Sequence, residues 1–260
     1  MKSELVKRFC TPPIPEITRF DLRAIADTKR TCLEFEGGRI PVYSRGAGRK
    51  VLLVHGWGSR ASHLNLLART LSGAGFHVFT FDAPAHSSEK TPLKTTSNMF
   101  EFGRSIATVA RYLGDIHAVI GHSLGAIAAL FTVTGWMQLE PYRVDPSKLV
   151  LISSPTNVQE VIATFSRTVG LTEQEKSLLR IGLEDEFDFR VEDYSVEKAI
   201  DAMQTDVQII HDEEDKEVPV ANAYRFRELL PNAAVTLTSG LGHQKILLNR
   251  AVGKTISNFL

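Results

Sequence analysis

Short, mostly apolar runs alternate along the chain with longer segments whose apolar residues follow a helical period. The runs predict buried strands, because a strand covered on both faces carries apolar side chains at successive positions. The predicted strands are Val51–Val54, Val78–Phe81, Ala118–Ile120, Leu149–Ile152, Val207–Ile210 and Ala234–Leu237. The predicted helices between and after them are 62–72, 97–113, 124–137, 221–230 and 245–260. This alternation predicts right-handed crossovers and an α/β fold with a doubly wound, mostly parallel sheet.

The first part of the chain has a different pattern. Residues 1–30 form a basic lead-in in which Pro12, Pro13 and Pro15 are expected to interrupt any helix, with a short helix over 21–29. The segments 32–36 and 40–44 flank Gly37-Gly38, which predicts a hairpin of two antiparallel edge strands. Pro41 is compatible with such an edge position and would not suit a central strand.

A long insertion interrupts the alternation after Ile152, the end of the sixth strand when the hairpin is counted as two. More than fifty residues precede Val207, far more than one crossover needs, and they hold three helix candidates: 158–169, 173–181 and 196–203. We expect a small helical cap above the crevice where such sheets bind ligands, and the alternative is a peripheral decoration. The predicted domains are a core of 1–155 with 206–260, whose lead-in is 1–30, and a cap of 156–205.

Composition narrows the class of protein. Lysine plus arginine equals aspartate plus glutamate, thirty each, so no basic excess points to nucleic acid or anionic lipid. No apolar run is long enough to span a bilayer, and residues 1–8 do not resemble a signal peptide. Cys10 and Cys32 match no metal spacing and are interpreted as reduced thiols, with a single disulfide as the alternative. We therefore expect a cytoplasmic protein without stable membrane insertion.

The segment Gly121-His122-Ser123-Leu124-Gly125 follows the third buried strand and leads at once into a helix. A strand, sharp turn and helix of this kind would hold Ser123 in a strained backbone and raise its hydroxyl above the sheet. Glycines on both sides would let strand and helix pack closely, and the first helix amides would lie beside the hydroxyl. The alternative is a serine that caps an ordinary helix.

A nucleophilic serine requires a base, an acid that orients the base, and donors for the oxyanion. Two histidines follow Ser123: His211 closes a predicted strand, and His243 lies in a loop between the last strand and the last helix. The loop position favours His243 as the base. The acid should follow the strand ending at Ile210, where composition leaves four candidates and most are expected to be solvated: Asp212, Glu213, Glu214 and Asp215.

Oxyanion donors are expected from the first crossover loop and from the start of the helix after Ser123. The loop reads His55-Gly56-Trp57-Gly58-Ser59, and its glycines would let the backbone approach the site. We expect the backbone amides of Trp57 and Leu124 to face a bound carbonyl. A glycine-rich turn with Ser59 or Ser62 capping the next helix is compatible with the same residues.

These blocks together resemble the α/β-hydrolase superfamily, in its serine esterase and lipase-like branch, over about residues 33–260. The matching blocks are His-Gly-x-Gly at 55–58, Gly-x-Ser-x-Gly at 121–125 and Gly-His at 242–243. The family's acid loop, Gly-x-x-Asp-x-x-Val-Pro, aligns with 212–219, and that alignment selects Asp215 as the acid. Two departures concern nearby loops: Asp212 replaces a glycine, and Ala85 and Ser87 replace the glycines of an Asp-x-Pro-Gly-His-Gly turn.

The resemblance implies a serine hydrolase that cleaves carboxylic esters of small or medium acyl groups through an acyl-enzyme. Ser123 would attack, His243 would act as base and then acid, and Asp215 would orient His243. The expected partner is a small-molecule ester, and no metal or organic cofactor is required. The alternatives are a thioesterase, an amidase or another hydrolase with the same triad, a non-catalytic protein that binds a small ligand, or an inactive scaffold.

Overall fold

The computed structural model describes residues 1–86, 94–201 and 203–260. Within these residues, eight strands form one sheet in the order β1-β2-β4-β3-β5-β6-β7-β8. The strands are β1 (Lys29–Phe35), β2 (Gly38–Arg45), β3 (Lys50–Val54), β4 (His77–Phe81), β5 (Ala118–His122), β6 (Lys148–Ile152), β7 (Asp206–Asp212) and β8 (Ala234–Thr238). Strands β3 to β8 are parallel, whereas β2 is antiparallel to both β1 and β4. The predicted doubly wound, mostly parallel sheet is confirmed.

Helices cover both faces of this sheet. They are α1 (Lys2–Cys10), α2 (Arg19–Ile25), α3 (Asn65–Gly73), α4 (Met99–Leu113), α5 (Leu124–Thr134), α6 (Val158–Val169), α7 (Glu173–Phe187), α8 (Val196–Ala199), α9 (Ala221–Leu229), α10 (Gly242–Lys245) and α11 (Arg250–Phe259). Short 3₁₀ turns span Ala61–Leu64, Met137–Tyr142, Val191–Asp193 and Ile246–Leu248.

Successive residues of each central strand enter two different cores, as the pleat of a strand requires. Val51 and Leu53 pack with α3 and α11 on one face, while Leu52 and Val54 pack with α4 and α5 on the other. Helix α5 is buried along nearly its whole length, from Leu124 to Val133, which explains why its sequence is apolar on every side. The sheet therefore has no solvated face along its central strands.

The hairpin was predicted correctly, but the edge position of its second strand was wrong. β2 lies between β1 and β4, and its pairing with β4 ends at Val42 opposite Phe81. Pro41 is the next residue, where its carbonyl still accepts the Asp82 N–H at 3.2 Å. Because proline has no N–H to donate to β4, the hydrogen-bond ladder between β2 and β4 stops at Pro41. This is how an interior strand can contain Pro41.

The lead-in differs most from expectation. Helix α1 forms over Lys2–Cys10, immediately before the prolines, which end this helix rather than prevent it. Leu5, Val6 and Cys10 are buried, because α1 packs against α7 of the insertion. A helix is present near the predicted 21–29, but α2 is shifted to Arg19–Ile25: Thr18 caps its start, and Lys29 already belongs to β1.

The insertion between β6 and β7 is helical, as predicted. α6 has the predicted bounds, whereas α7 continues past the predicted end at 181 and through the acidic residues 184–186. Within it, buried Glu184 accepts the Val191 N–H at 3.0 Å and lies near Arg180. α8 is shorter than the predicted 196–203; part of that prediction, Ala202, lies outside the described residues. A bridge between Asn157 and Ser195 joins the start of the insertion to the residue before α8.

Two further observations bear on the predictions from composition. Cys10 is buried and Cys32 exposed, and both are free thiols, so the alternative of a disulfide is wrong. Among the residues that the structure describes, no helix combines the length and apolar character needed to span a membrane.

Candidate active site

Ser123 lies at the sharp turn between β5 and α5, with φ 54° and ψ −123°. A non-glycine residue at positive φ costs about 1–3 kcal/mol, so the surrounding structure must hold it there. Its N–H donates to the carbonyl of Ile152 on the neighbouring strand at 2.9 Å. The Ser123 side chain makes no capping hydrogen bond to α5, which removes the alternative of an ordinary helix cap.

Glycines at this turn allow three backbone segments to meet. A Cβ on Gly121 would lie 2.4 Å from Cα of Ala126, and one on Gly125 would lie 2.3 Å from the carbonyl oxygen of His55. A Cβ on Gly56 would lie 3.0 Å from Cβ of Ser123. The turn after β3 therefore packs directly against Ser123, as the predicted oxyanion site requires.

The turn after β3 is closed by the Ser59 N–H, which donates to the Gly56 carbonyl at 3.2 Å. Gly58 adopts φ 66° at its third position. Trp57 and Leu124 both line the cavity that also holds Ser123. Leu124 is the first residue of α5, whose first N–H groups have no partner within the helix. The backbone amides of Trp57 and Leu124 stay predicted oxyanion donors.

Neither serine of the next segment caps a helix. Ser59 Oγ lies 3.0 Å from His63 Nδ1, and the Ser62 hydroxyl donates to Asp21 Oδ1 at 2.6 Å. The alternative that either residue serves as a cap is therefore not supported, and Ser62 instead attaches α2 to the core.

His243 and Asp215, from the segments after β8 and β7, are in direct contact. Nδ1 of His243 lies 2.7 Å from Oδ2 of Asp215, and both side chains are buried. His243 lies in the short helix α10, whereas the sequence suggested a loop; Gly242, at φ 62°, begins that helix. His243 lines the same cavity as Ser123, with exposed Glu217 3.7 Å from its Nε2.

Asp215 is held as a carboxylate. Its Oδ1 accepts the backbone N–H groups of Glu217 and Val218, each at 2.9 Å. Burial alone would raise the pKa of Asp215, but the hydrogen bond and charge of His243 and these backbone donors outweigh it and lower the pKa below its ordinary value. The group is therefore suited to orient an imidazole and to balance positive charge on it.

The other three carboxylates of the acid loop divide into two groups. Glu213 and Glu214 are exposed, as expected for a solvated loop, but Asp212 is fully buried. Its Oδ2 accepts the Thr238 hydroxyl at 2.7 Å and the Leu241 N–H at 3.0 Å, and its Oδ1 accepts the Glu214 N–H at 3.0 Å. Asp212 therefore connects the acid loop to the segment that carries His243, a role that the sequence did not reveal.

Two buried histidines hold the backbone segments that carry Asp215 and His243. His211 Nε2 donates to the Val218 carbonyl at 2.9 Å, which folds the acid loop back on its strand. His122 Nε2 donates to the His243 carbonyl at 2.9 Å, with the two rings 4.7 Å apart. Burial, and then the nearby His243 imidazole, lower the pKa of His122 to about 3, so it stays neutral beside His243.

Two more histidines fix the turn that carries Trp57. His55 Nε2 accepts the Ala83 N–H at 3.0 Å while its Nδ1 lies 2.7 Å from the Gly56 carbonyl. His86 Nε2 accepts the Gly58 N–H at 3.1 Å. Burial lowers the pKa of both, that of His86 to about 4, so both accept as neutral rings.

Ala85 replaces a glycine of the family pattern, but the backbone there keeps a conformation that glycine adopts easily. Ala85 adopts φ 63°, the left-handed conformation that is unfavourable for alanine, and this places His86 beneath the turn after β3. Ser87, the second departure, lies outside the described residues.

A cavity of about 630 Å³ opens over Ser123 and His243 at the carboxyl ends of β3 and β5. Apolar side chains form most of its wall, and they come from the core, the insertion and the lead-in. Examples are Trp57, Met99, Val158, Val161, Phe165 and Phe9. The volume is that of a typical small-molecule site.

The family is established by comparison with known proteins. Residues 51–250 match the model of an alpha/beta hydrolase family, so the chain belongs to the α/β hydrolases. Curated protein sequences give no match to the chain.

Solved structures with the same fold include several hydrolases. A membrane phospholipase A described as a bacterial virulence factor is 15% identical, with TM-score 0.70, covering 99% of this chain and 91% of that one. A thioesterase domain from the curacin biosynthetic pathway is 16% identical, with TM-score 0.64 and coverage of 89% and 98%. Est1E from Butyrivibrio proteoclasticus is 16% identical, with TM-score 0.65 and coverage of 88% and 96%. At these identities the likeness concerns the fold.

We predict that Asp212→Ala destabilises the protein by at least about 2 kcal/mol. The substitution removes the shared acceptor of three partly buried donors, and one unsatisfied buried donor costs about 1–3 kcal/mol. Urea unfolding followed by circular dichroism measures the change, with Glu213→Ala as the control because Glu213 is an exposed neighbour in the same loop. Equal stability of the two variants would contradict the bridging role of Asp212.

We also predict that His86 makes folding sensitive to acid. Its pKa is about 4 when folded and near the ordinary 6.5 when unfolded, so between these values the unfolded chain binds a proton that the folded chain does not. Stability should fall as the pH drops through this window, by up to about 1.4 kcal/mol per pH unit from this group. In His86→Gln, urea unfolding from pH 7 to 4 should show a shallower slope; an unchanged slope would refute the prediction.

Proposed function

We propose that this α/β hydrolase is a serine hydrolase that cleaves carboxylic esters of small or medium acyl groups through an acyl-enzyme. One observation carries the proposal: the buried His243–Asp215 pair adjoins the cavity into which the strained turn presents Ser123. Nucleophile, base and acid follow the chain order expected for this fold.

The first step uses the tautomer that Asp215 selects. In the neutral imidazole, an Nδ1–H that donates to the Asp215 carboxylate leaves Nε2 as the nitrogen that can accept a proton. Ser123 Oγ attacks the ester carbonyl as its proton passes to Nε2, and the charge of Asp215 stabilises the imidazolium. The amides of Trp57 and Leu124 would donate to the oxyanion, each contributing about 3 kcal/mol.

The second half of the cycle returns the enzyme to its starting state. Nε2 gives its proton to the departing alcohol oxygen as the C–O bond breaks, which leaves an ester of Ser123. Water then attacks this ester while Nε2 takes the water proton, and the acid is released as Ser123 regains its hydrogen. The residues named supply every proton transfer, and no metal or organic cofactor is needed.

The insertion is proposed to act as the cap of this site. Helix α6 contributes Val158, Val161 and Phe165 to the cavity wall, so residues 156–205 would shape the acyl side of the substrate. A largely apolar wall favours a hydrocarbon chain over a charged group. The proposed partner is therefore a small-molecule ester with an apolar acyl part.

A thioester would follow the same route, with a thiol as the leaving group. Among the structures of like fold, one is a thioesterase domain and one a phospholipase, so both classes belong in the substrate panel. Parallel assays with an ester, a thioester, an amide and a phospholipid of the same acyl group separate these activities, because the cavity would bind the same acyl chain in each.

We predict that Ser123→Ala lowers kcat/KM on a short-chain p-nitrophenyl ester by about 10⁴-fold or more, because the nucleophile is lost. Labelling by a fluorophosphonate probe should disappear as well. Ser239→Ala is the control, since this exposed serine lies close to His243 in sequence but outside the cavity lining.

Circular dichroism checks that both variants are folded. Turnover of Ser123→Ala near the parental rate would disprove the assignment of the nucleophile. A parental protein that neither labels nor cleaves any substrate of the panel would instead favour a ligand-binding role.

A further inference from the structure

The lead-in is fixed to the core and to the insertion. On α1, Val6 packs so closely against α7 that a Cβ on Gly182 would lie 2.6 Å from Val6 Cγ2. An ion pair between Lys2 and Asp185 adds a second contact between these helices. The carbonyl of Cys10 accepts the Ser97 N–H at 2.8 Å, which attaches the end of α1 to the segment before α4.

The residues after α1 run over the turn that carries Trp57. A Cβ on Gly58 would lie 3.1 Å from the carbonyl oxygen of Pro13, so the two backbones touch. The carbonyl of Pro15 accepts a hydrogen bond from the guanidinium of Arg60, which is buried. The lead-in thus contacts the core through Pro13 and Pro15 and the insertion through α1.

The end of α1 and the residues just after it contribute side chains to the cavity. Phe9, Thr11 and Pro13 line it together with Ser123 and His243. The ring of Phe9 meets that of Phe165 edge to face, with centroids 5.0 Å apart and an interplanar angle of 81°. Such pairs contribute stability beyond the area they bury, so this contact joins the lead-in to α6 across the cavity wall.

We infer that residues 1–15, which precede the part of the chain matched by the family model, form a fixed wall of the substrate cavity, and that Phe9 limits the length of the acyl chain. The inference rests on the proposed function for the identity of the substrate. The wall itself follows from the contacts of α1, Pro13 and Pro15. Phe9 is the large apolar side chain of this wall, so its volume sets the space left for hydrocarbon.

The test measures chain-length preference on p-nitrophenyl esters with acyl groups of 4, 8 and 12 carbons. Phe9→Ala should raise the ratio of kcat/KM for the 12-carbon over the 4-carbon ester about tenfold, because the cavity lengthens. Phe9→Trp, which fills more space, should lower the same ratio. Phe20→Ala is the matched control, since Phe20 belongs to the same lead-in but is 60% exposed; its ratio should equal the parental one.

Phe165→Ala is a second variant that lengthens the cavity at the same contact, for use if Phe9→Ala does not fold. It removes the other ring of the contact and should also favour the longer ester. Ratios within twofold of the parent in all folded Phe9 and Phe165 variants, together with unchanged affinities in the binding assay below, would overturn the inference.

A binding assay separates this inference from the proposed function. In the Ser123→Ala background, affinities for octanoate and hexadecanoate are followed by tryptophan fluorescence, because Trp57, one of the two tryptophans, lines the cavity. Phe9→Ala should shift affinity toward hexadecanoate. If the parent cleaves no ester but this shift occurs, the proposed function is wrong and the inference about Phe9 is supported. If esters are cleaved and neither assay responds to Phe9→Ala, the inference about Phe9 is wrong and the proposed function is retained. Absence of both binding and cleavage overturns the inference and the proposed function.

Discussion

The site depends on how closely three stretches of backbone approach one another at the carboxyl ends of β3 and β5. The chain leaves β3 toward β4 on one side and returns to β5 on the other, so a crevice opens between the two neighbouring strands. Gly56, Gly121 and Gly125 stand where any side chain would collide with backbone or with Ser123. The positive φ of Ser123 is tolerated because the surrounding packing fixes the backbone conformation of the turn.

Neutral imidazoles hold the loops around this turn. His55 and His86 accept backbone N–H groups, while His122 and His211 donate to backbone carbonyls. A ring can fill a buried space and still satisfy a polar backbone group, which an aliphatic side chain cannot do. Burial suppresses charge on these rings, so that positive charge during turnover would be confined to the imidazole paired with a carboxylate.

Much of the fold and of the candidate site could be predicted from local pattern. The six predicted parallel strands are correct to within one or two residues because each is a short, mostly apolar run, although β8 is an edge strand and only partly buried. Helix α6 has its predicted bounds because its apolar spacing and capping Asn157 agree. Helix α1 was missed, since nearby prolines concealed a helix whose buried face is defined only by the distant α7. Asp212 was equally hidden: its partners Thr238 and Leu241 lie 26 and 29 residues away, and four neighbouring carboxylates look alike in sequence.

The packing of α1 on α7 also has a consequence for synthesis on the ribosome. Lys2 and Asp185 are 183 residues apart, so at about 5–20 residues per second the apolar side of α1 waits roughly 10–40 s for its partner helix to emerge. During that interval Val6 lacks the α7 surface on which it packs in the folded protein. Docking of α1 on α7 is therefore a late event in folding.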